Sequence, residues 1–596
     1  MLNLRLYRAA FLPFVFALAI AAFSLTGTPR GFTSTLAPDA FDGSRAFADL
    51  NRWAAEFPTR RPGGPGDEAL ANRISHELDA LGGAAGGGFS VRSRRFEAQT
   101  IDGRRSLTMV IAQRPGSTGA PPIVLLAHRD AAGRDARAEL SGTAALLELA
   151  RVFAARETQR AIILVSTSGG SGGDAGAADF AAHASPADAV IVLGDLAGTR
   201  KREPLVVPFS DGFGSAPAQL QRTVSDALGQ EAGVAAGAPS TAGQLAHLTL
   251  PFATGEQGVL DAGGLPAVLV QASGELGPSP GQSISASRLE GFGRAVLSAV
   301  DALDVSPDVD PARQTGLVIQ HKTVPVWAVR LLVLALLLPP LVVLADGLAR
   351  LRRRRERVGR WLPWTLACSL PFFLAVMFAR LLAWSGLLGV APAVPVLPRA
   401  LPFDATAATT VMAVALVLIL AWLAWPLLVR RLGADVRPNA DGAGLVALFV
   451  LLAVCTVVCV ANPFAALLLL PAVHLYLLIV SPELRPRPPA GLAIVVLALV
   501  PLGLLIVFDA HRFGMGPGEV AWTAVLLAAG GHVGVLAAAL WSLALGVVAA
   551  ILAVALTVPA ALAGPDSQER EEIVIRGPLS YAGPGSLGGT ESAMRR

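Results

Sequence analysis

The second half of the sequence consists of long apolar runs separated by short polar connections. The runs lie near residues 326–347, 364–388, 407–429, 443–461, 463–480 and 490–508, followed by a longer one near 519–563. The sequence therefore predicts an all-α, multi-span membrane domain over residues 325–563 with about seven or eight spans, since a helix needs roughly 20 apolar residues to cross a bilayer. The last run is interrupted by Gly530-Gly531-His532, so it fits either one span with a re-entrant piece or two spans.

The connections between these runs alternate in charge. Basic residues follow the first run (Arg350 to Arg360), the third run (Arg430, Arg431 and Arg437) and the fifth run (Arg485 and Arg487). Cytoplasmic loops of membrane proteins carry an excess of Lys and Arg. The pattern predicts a multi-pass protein of the cell membrane whose partner is the lipid bilayer, with a cytoplasmic N-terminus. The polar region before residue 325 is then extracytoplasmic.

The two ends of the chain give separate predictions. Residues 1–30 contain an apolar run, 10–25, preceded by Arg5 and Arg8, which fits a signal anchor or a cleaved signal peptide. No clear small-x-small cleavage site follows the run, and this favours an uncleaved transmembrane anchor. Residues 565–596 are polar and rich in Gly and Ser, which predicts a disordered tail.

Charge and cysteine content narrow the choice of function. The formal net charge of +4 is small and its excess can be traced to the basic connections, so we expect no nucleic-acid partner. The three cysteines, Cys368, Cys455 and Cys459, all fall in apolar runs. The polar half of the chain therefore has no disulfide to form.

Residues 41–310 alternate between helical and β patterns. Helices are predicted over 46–57 and 66–81, and strands over 123–127, 161–168, 189–193 and 267–271. Strands separated by helices predict an α/β domain with a mostly parallel sheet covered by helices on both faces.

One strand of this domain ends in a pattern typical of a binding site. The apolar run 123–127 leads directly into His128-Arg-Asp130, and Ser141-Gly then begins an amphipathic helix. Ligands of α/β proteins bind at the carboxyl edge of the sheet. His128 and Asp130 are therefore candidate site residues, although the pair equally fits a loop end that only retains the turn of the fold.

The order of these segments resembles the di-zinc aminopeptidases of metallopeptidase family 28, some of which are tethered to a multi-span region. The resemblance begins at Phe57-Pro-Thr-Arg-Arg-Pro-Gly-Gly and continues through the His-x-Asp strand and Ser141-Gly-Thr-Ala-Ala-Leu-Leu-Glu-Leu-Ala-Arg. It ends near Gly264-Leu-Pro-Ala-Val-Leu-Val, so it covers about the first half of the chain. It implies a two-zinc hydrolytic site at the sheet edge.

Three residues match the family's site. The resemblance makes His128 the histidine ligand and Asp195, in Val-Leu-Gly-Asp-Leu, a carboxylate ligand. It makes Asp130 the carboxylate of the second coordination shell that orients the histidine. These are the remnant metal residues predicted from the sequence.

The other positions of the family's site are substituted. Ala138 stands where the family has its bridging aspartate, and Gly169-Gly170 follows the strand that should carry the general base and a ligand. Gln257 stands in place of the last histidine. A catalytic zinc usually has three protein ligands. The sequence therefore predicts no catalytic residue and no cofactor, and zinc only if neighbouring carboxylates replace the lost ligands; these are Asp135, Glu139, Asp174 and Glu256.

Three hypotheses of function follow. The preferred one is an inactive pseudo-peptidase that acts in binding or scaffolding, with a peptide or a cell-envelope component in the old cleft. The alternative is an active membrane-bound zinc aminopeptidase. The third is a transport or envelope-assembly factor. Arg380, His474 and His532 interrupt the apolar runs, and in this hypothesis His474 or Arg380 carries the function.

Overall fold

A computed structural model of the chain describes residues 4–82, 88–353, 355, 358–389, 391, 392, 394–431, 441–481, 484 and 486–556. The predicted tail, 565–596, lies outside the described residues, and so do the end of the last apolar run, Arg437 and Arg485.

The first half of the chain contains ten strands and ten helices within the described residues. The strands are β1 (Thr26–Gly27), β2 (Ser90–Thr100), β3 (Gly103–Arg114), β4 (Ile123–His128), β5 (Ile162–Thr167), β6 (Ala189–Leu193), β7 (Val206–Val207), β8 (Ala267–Val270), β9 (Leu317–Ile319) and β10 (Lys322–Val324). The helices are α1 (Leu4–Ala9), α2 (Leu12–Phe23), α3 (Gly43–Glu56), α4 (Pro65–Gly82), α5 (Arg137–Ala154), α6 (Ala175–His183), α7 (Ala218–Glu231), α8 (Thr241–Thr249), α9 (Gln257–Ala262) and α10 (Ala286–Val305).

The main sheet has seven strands in the order β2-β3-β5-β4-β6-β8-β7. Its four central strands, β5, β4, β6 and β8, are parallel, and this part confirms the predicted α/β fold. The strands β2, β3 and β7 are antiparallel to their neighbours, so the sheet is mixed rather than mostly parallel. Both faces are covered, because Leu125 of β4 belongs to one apolar core and the adjacent Leu126 to the other.

Helix α5 packs unusually close to the central strands. A Cβ atom on Gly142, in its first turns, would lie 2.1 Å from the carbonyl oxygen of Leu193 at the end of β6. Ser141 Oγ accepts the backbone N–H of Leu196 at 2.8 Å from the same side. The Ser-Gly pair seen in the sequence therefore lets α5 contact the edge of the sheet where His128 emerges.

In the second half of the chain, every strand or helix among the described residues is a helix. Its helices are α11 (Val326–Arg353), α12 (Trp361–Trp384), α13 (Ala405–Arg431), α14 (Asp441–Ala461), α15 (Pro463–Val480), α16 (Pro488–Phe513), α17 (Pro517–Ala529) and α18 (Val535–Leu556). Seven of the described helices, all of these except α17, are long and apolar enough to cross a membrane. Leu416, Ile419 and Leu423 of α13 are each more than half exposed, as expected for a surface that faces lipid.

The last apolar run divides into two unequal helices. Helix α17 has 13 residues, and α18 has 22. Both ends of α17 lie near the α/β domain, because Arg512 before it pairs with Glu275 and His532 after it lies 3.1 Å from the carbonyl oxygen of Pro251. The chain thus returns to the same side between α16 and α18 without a second crossing.

The helical region contacts the α/β domain at the two points where the chain crosses from one to the other. Strand β1 pairs with β10, and α2 packs against α11. The connection between α14 and α15 also reaches the α/β domain, since Asn462 Nδ2 donates to the carbonyl of Leu248 at 2.7 Å. Within the predicted anchor run, 10–25, the structure has one helix of 12 residues, α2, which follows the short helix α1.

Candidate functional site

A cleft of about 140 Å³ lies at the carboxyl edge of the parallel strands. Three elements supply its central side chains: His128 is the last residue of β4, Asp195 follows β6, and Glu256 precedes α9. Glu139, in the first turn of α5, also lines the cleft, as does the glycine loop after β5, residues 169–173. The predicted edge of the sheet is therefore where the candidate residues meet.

His128 is bound to a carboxylate inside the cleft. Its Nδ1 lies 3.2 Å from Glu256 Oε2, and the Oγ1 of Thr167 donates to Glu256 Oε1 at 2.5 Å. The two side chains are only 13% and 1% exposed. Burial opposes a charge on His128, but the hydrogen bond and charge of Glu256, with smaller contributions from Asp130 and Glu139, raise the pKa of His128 to about 10. The contact with Glu256 therefore favours the protonated form of His128, in which neither ring nitrogen has a free lone pair.

Asp130 organises the glycine loop after β5. Its carboxylate accepts the backbone N–H groups of Gly169, Gly170 and Ser171 at 2.8, 3.1 and 3.1 Å, and the Ser171 hydroxyl at 2.5 Å. Asp130 was expected to orient His128, but the two side chains form no hydrogen bond among the described residues. Its hydrogen bonds hold the glycine loop instead.

Asp195 is also engaged by the protein. Its Oδ1 accepts the backbone N–H of Gly198 at 2.6 Å, and its Oδ2 accepts Ser273 Oγ at 3.0 Å and Gln282 Nε2 at 3.2 Å. Burial raises the pKa of Asp195 to about 6, although these hydrogen bonds lower it. Both oxygens of this carboxylate therefore accept hydrogen bonds, from the connection after β6 and from the one between β8 and α10.

The carboxylates that could replace the lost metal ligands lie in different places around the cleft. Glu139 reaches the cleft, its Oε2 has no hydrogen-bond partner among the described atoms, and burial raises its pKa. Asp174 is buried behind the glycine loop in a left-handed conformation (φ 44°), and burial raises its pKa well above the usual range. Asp135 is exposed outside the cleft lining. Of these four carboxylates, Glu139 and Glu256 line the cleft together with His128.

The residue matched to the last histidine does not point at the cleft centre. Gln257 is buried, and its Nε2 donates to the carbonyl of Phe209 at 3.3 Å. Its neighbour Glu256 contacts His128 instead. From the sequence, Glu256 was one of several possible replacement ligands. Its pairing with His128 could not be predicted, because the two residues are 128 positions apart in the chain.

The helical region supplies one wall of the cleft. Residues 395–400, in the connection between α12 and α13, line it opposite the glycine loop. Arg399 Nη1 donates to the carbonyl of Pro278 at 2.7 Å, and its charge also acts on Glu139. No local sequence signal identifies this wall, which comes from a distant part of the chain.

The donor set does not fit the two-zinc site that the resemblance implies. Across the part of the chain that the structure describes, no group of three or more His, Cys, Asp or Glu side chains is arranged to hold a metal ion. His128 is ion-paired with Glu256, and the oxygens of Asp195 accept three donors. A zinc ion would have to displace Glu256 before His128 could bind it, and His128 with Asp195 is still fewer than the three protein ligands of a usual catalytic zinc.

The ionisable residues of the helical region each contact another part of the protein. His474 Nδ1 lies 2.8 Å from the hydroxyl of Tyr7, and the His474 ring stacks on Phe11. Arg380 donates to the carbonyl of Val533. These contacts join α15 to the N-terminal helices and α12 to the segment before α18.

Comparison with known proteins identifies the α/β domain. Residues 109–245 match the model of peptidase family M28, which confirms the resemblance found in the sequence. No curated protein sequence matches the chain. Similar solved structures include the aminopeptidase from Aneurinibacillus sp. strain AM-1 (13% identity, 47% of this chain and 98% of that chain, TM-score 0.36). Another is a zinc aminopeptidase from Bacillus subtilis (13% identity, 45% of this chain and 99% of that chain, TM-score 0.35). A third is a glutaminyl cyclase from Bacteroides thetaiotaomicron (17% identity, 44% of this chain and 97% of that chain, TM-score 0.34).

Proposed function

We propose that this M28-like α/β domain is a pseudo-peptidase, a binding module that does not hydrolyse peptides, carried on a multi-span membrane protein. The observation that carries the proposal is the buried His128–Glu256 ion pair. It occupies the histidine that would have to bind metal. A metal-dependent hydrolase also needs a group that takes a proton from the attacking water. The loop where the family carries its base consists here of Gly169 and Gly170.

The cleft is suited to hold a small polar group. Its volume of about 140 Å³ is below that of a typical ligand pocket of roughly 300–1,000 Å³, so it has room for the end of a chain or one side group. Glu139 and Arg399 bring opposite charges to its rim. A peptide end or a polar component of the cell envelope, with both a cationic and an anionic group, matches this arrangement.

We further propose that the α/β domain is extracytoplasmic. The connections that reach it, before α13, between α14 and α15 and after α16, are the ones without arginine clusters. The arginine-rich connections that follow α11 and α13 lie at the opposite helix ends. Because positive connections stay in the cytoplasm, this arrangement supports an outward-facing domain and a cytoplasmic N-terminus.

Zinc content and turnover of the full chain test the pseudo-peptidase proposal. The protein, purified in detergent, is loaded with zinc, dialysed, and assayed on aminoacyl-nitroanilides beside an active aminopeptidase in the same detergent. His128→Ala serves as the matched variant. We expect neither retained zinc nor turnover, with no difference between wild type and variant. Near-stoichiometric zinc together with hydrolysis that depends on His128 would overturn the proposal in favour of an active aminopeptidase.

A further inference from the structure

A second cavity lies where the α/β domain meets the helical region, and its lining is strongly basic. It has a volume of about 310 Å³, and Arg200, Arg202 and Arg399 reach it. Ser279 and Gln282 add polar groups. It adjoins the cleft described above, since Arg399 lines both.

The positive charge of this basic pocket is not balanced by the protein. Within the described residues, Arg200 and Arg202 have no carboxylate partner, and Arg399 donates to a backbone carbonyl. The acidic residue of the lining is Glu519, whose Oε2 accepts the backbone N–H of Gly516 at 2.7 Å. Burial lowers the pKa of Arg399, Glu139 opposes this, and the charge of Arg202 lowers the pKa of Arg399 further. Like charges thus converge on one cavity with a single acid at its rim.

The helix ends around the basic pocket put it at the level of a bilayer surface. Phe513 is the last residue of α16, Pro402 lies just before α13, and Glu519 is in the first turn of α17. Helices α13 and α16 are each long and apolar enough to cross a membrane. The arginines could contact an anionic head group of the adjoining leaflet, which is the extracytoplasmic one in the topology proposed above, without leaving the interface.

We propose that this basic pocket binds a phosphate group, carried by an anionic phospholipid head group or by a soluble phosphate ester. Guanidinium groups bind phosphate through paired, charge-assisted hydrogen bonds. Ser279 and Gln282 lie at the same cavity as further hydrogen-bonding groups. The site does not depend on whether the cleft is catalytic, because Arg200 and Arg202 lie outside the cleft lining.

Binding measurements on the full chain test this site. The wild type in detergent is titrated with fluorescent phosphatidylglycerol, with phosphatidylcholine as the zwitterionic comparison, and with sn-glycerol 3-phosphate and inorganic phosphate as soluble probes. The principal variant is Arg200→Gln/Arg202→Gln, whose side chains are exposed and whose loss should not disturb packing. Arg92→Gln, an exposed arginine on β2, is the matched control. Size-exclusion profiles and melting curves establish that each variant is folded.

We expect the double variant to bind phosphatidylglycerol at least about tenfold more weakly than the wild type, because it loses two of the three guanidinium groups of the pocket. The control should bind as the wild type does. If soluble phosphate binds in place of lipid, and the double variant binds it more weakly than the wild type, the ligand is a soluble ester. Lipid binding that soluble phosphate does not displace identifies the head group. Equal affinity of wild type and double variant for every probe overturns the proposal. Equal binding of phosphatidylcholine and phosphatidylglycerol also overturns it when neither soluble phosphate probe binds through Arg200 and Arg202.

Discussion

Replacing Arg129 by Met should destabilise the α/β domain more than any change at the cleft surface. Arg129 lies between His128 and Asp130 on the chain, and its guanidinium is completely buried. It forms an ion pair with Asp67 of α4, with 2.9 Å between Nε and Oδ1, and both side chains are 0% exposed. It also donates to the carbonyls of Thr108, Ser166 and Thr167 at 2.6, 3.1 and 3.1 Å. One side chain therefore ties α4 to β3 and β5 beneath the site.

The loss in free energy of unfolding caused by Arg129→Met follows from the Asp67 carboxylate, which would remain buried without a cation. The carboxylate of Asp67 would keep the Ser168 hydroxyl at 2.5 Å and the N–H of Gly63 at 2.9 Å but would lose its cation. Breaking a buried ion pair in this way costs about 3–5 kcal/mol. In a domain of roughly 150–250 residues, a loss of that size lowers Tm by about 6–20 °C.

The same reasoning gives the sign of a pH effect. Burial already raises the pKa of Asp67, and the charge of Arg129 lowers it, so removing Arg129 raises this pKa further. A carboxyl whose folded-state pKa is raised contributes stability at low pH and loses it as the pH rises through that pKa. The loss of stability of Arg129→Met relative to the wild type should therefore be smaller at acidic pH than at neutral pH.

Melting curves of the detergent-solubilised full chain measure both effects, with Arg92→Met as the control at an exposed arginine. The double variant Arg129→Met/Asp67→Leu should recover part of the loss, since it leaves no charge unpaired. If the double variant is no more stable than Arg129→Met, or if the deficit is the same at every pH, the argument from an unpaired buried carboxylate is refuted.

Three further predictions test other parts of the fold. Burial raises the pKa of Asp211 to about 7, so its contribution to stability is lost as the pH rises toward that value. Asp211→Asn should flatten the dependence of Tm on pH in this range, and an unchanged slope would contradict the burial argument. Gly142→Ala would put a Cβ atom 2.1 Å from the carbonyl oxygen of Leu193, and we expect a loss of about 1–3 kcal/mol in chemical unfolding. A variant as stable as wild type would mean that α5 can move away from β6 freely. Asn462 caps α15 and donates to two carbonyls of the α8 end, so Asn462→Ala should cost about 1–2 kcal/mol and increase hydrogen exchange in α8. Unchanged exchange in α8 would show that this contact does not hold the two regions together.

The sequence predicted the parts of the fold that depend on local periodicity. The central strands are continuous apolar runs, and the helices of the second half are long apolar runs, so both were identified within a few residues. The antiparallel hairpin of β2 and β3 was missed. Strand β2 carries Arg92, Arg94 and Arg95 on a partly exposed surface, and this composition does not resemble a buried strand.

The candidate site was predictable only in part. His128, Asp195 and Glu139 meet at the predicted edge because the carboxyl ends of parallel strands converge there. The pairing of His128 with Glu256 and the wall containing Arg399 join distant segments of the chain, so no local pattern encodes them. The sequence predicted substituted ligand positions from the resemblance, whereas it did not predict the ion pair of His128 with Glu256.

The short pairing between β1 and β10 has a consequence for how such a protein can be assembled from modules. Thr26 lies opposite Thr323, so the strand that enters the α/β domain and the strand that leaves it are hydrogen-bonded neighbours. A unit whose entry and exit are adjacent can be inserted into a loop of a host protein without separating the host's own elements. The α/β domain is built as such a cassette between α2 and α11. Its double attachment, together with the contacts of Asn462 and Arg512 to the domain, prevents it from swivelling about a single covalent bond.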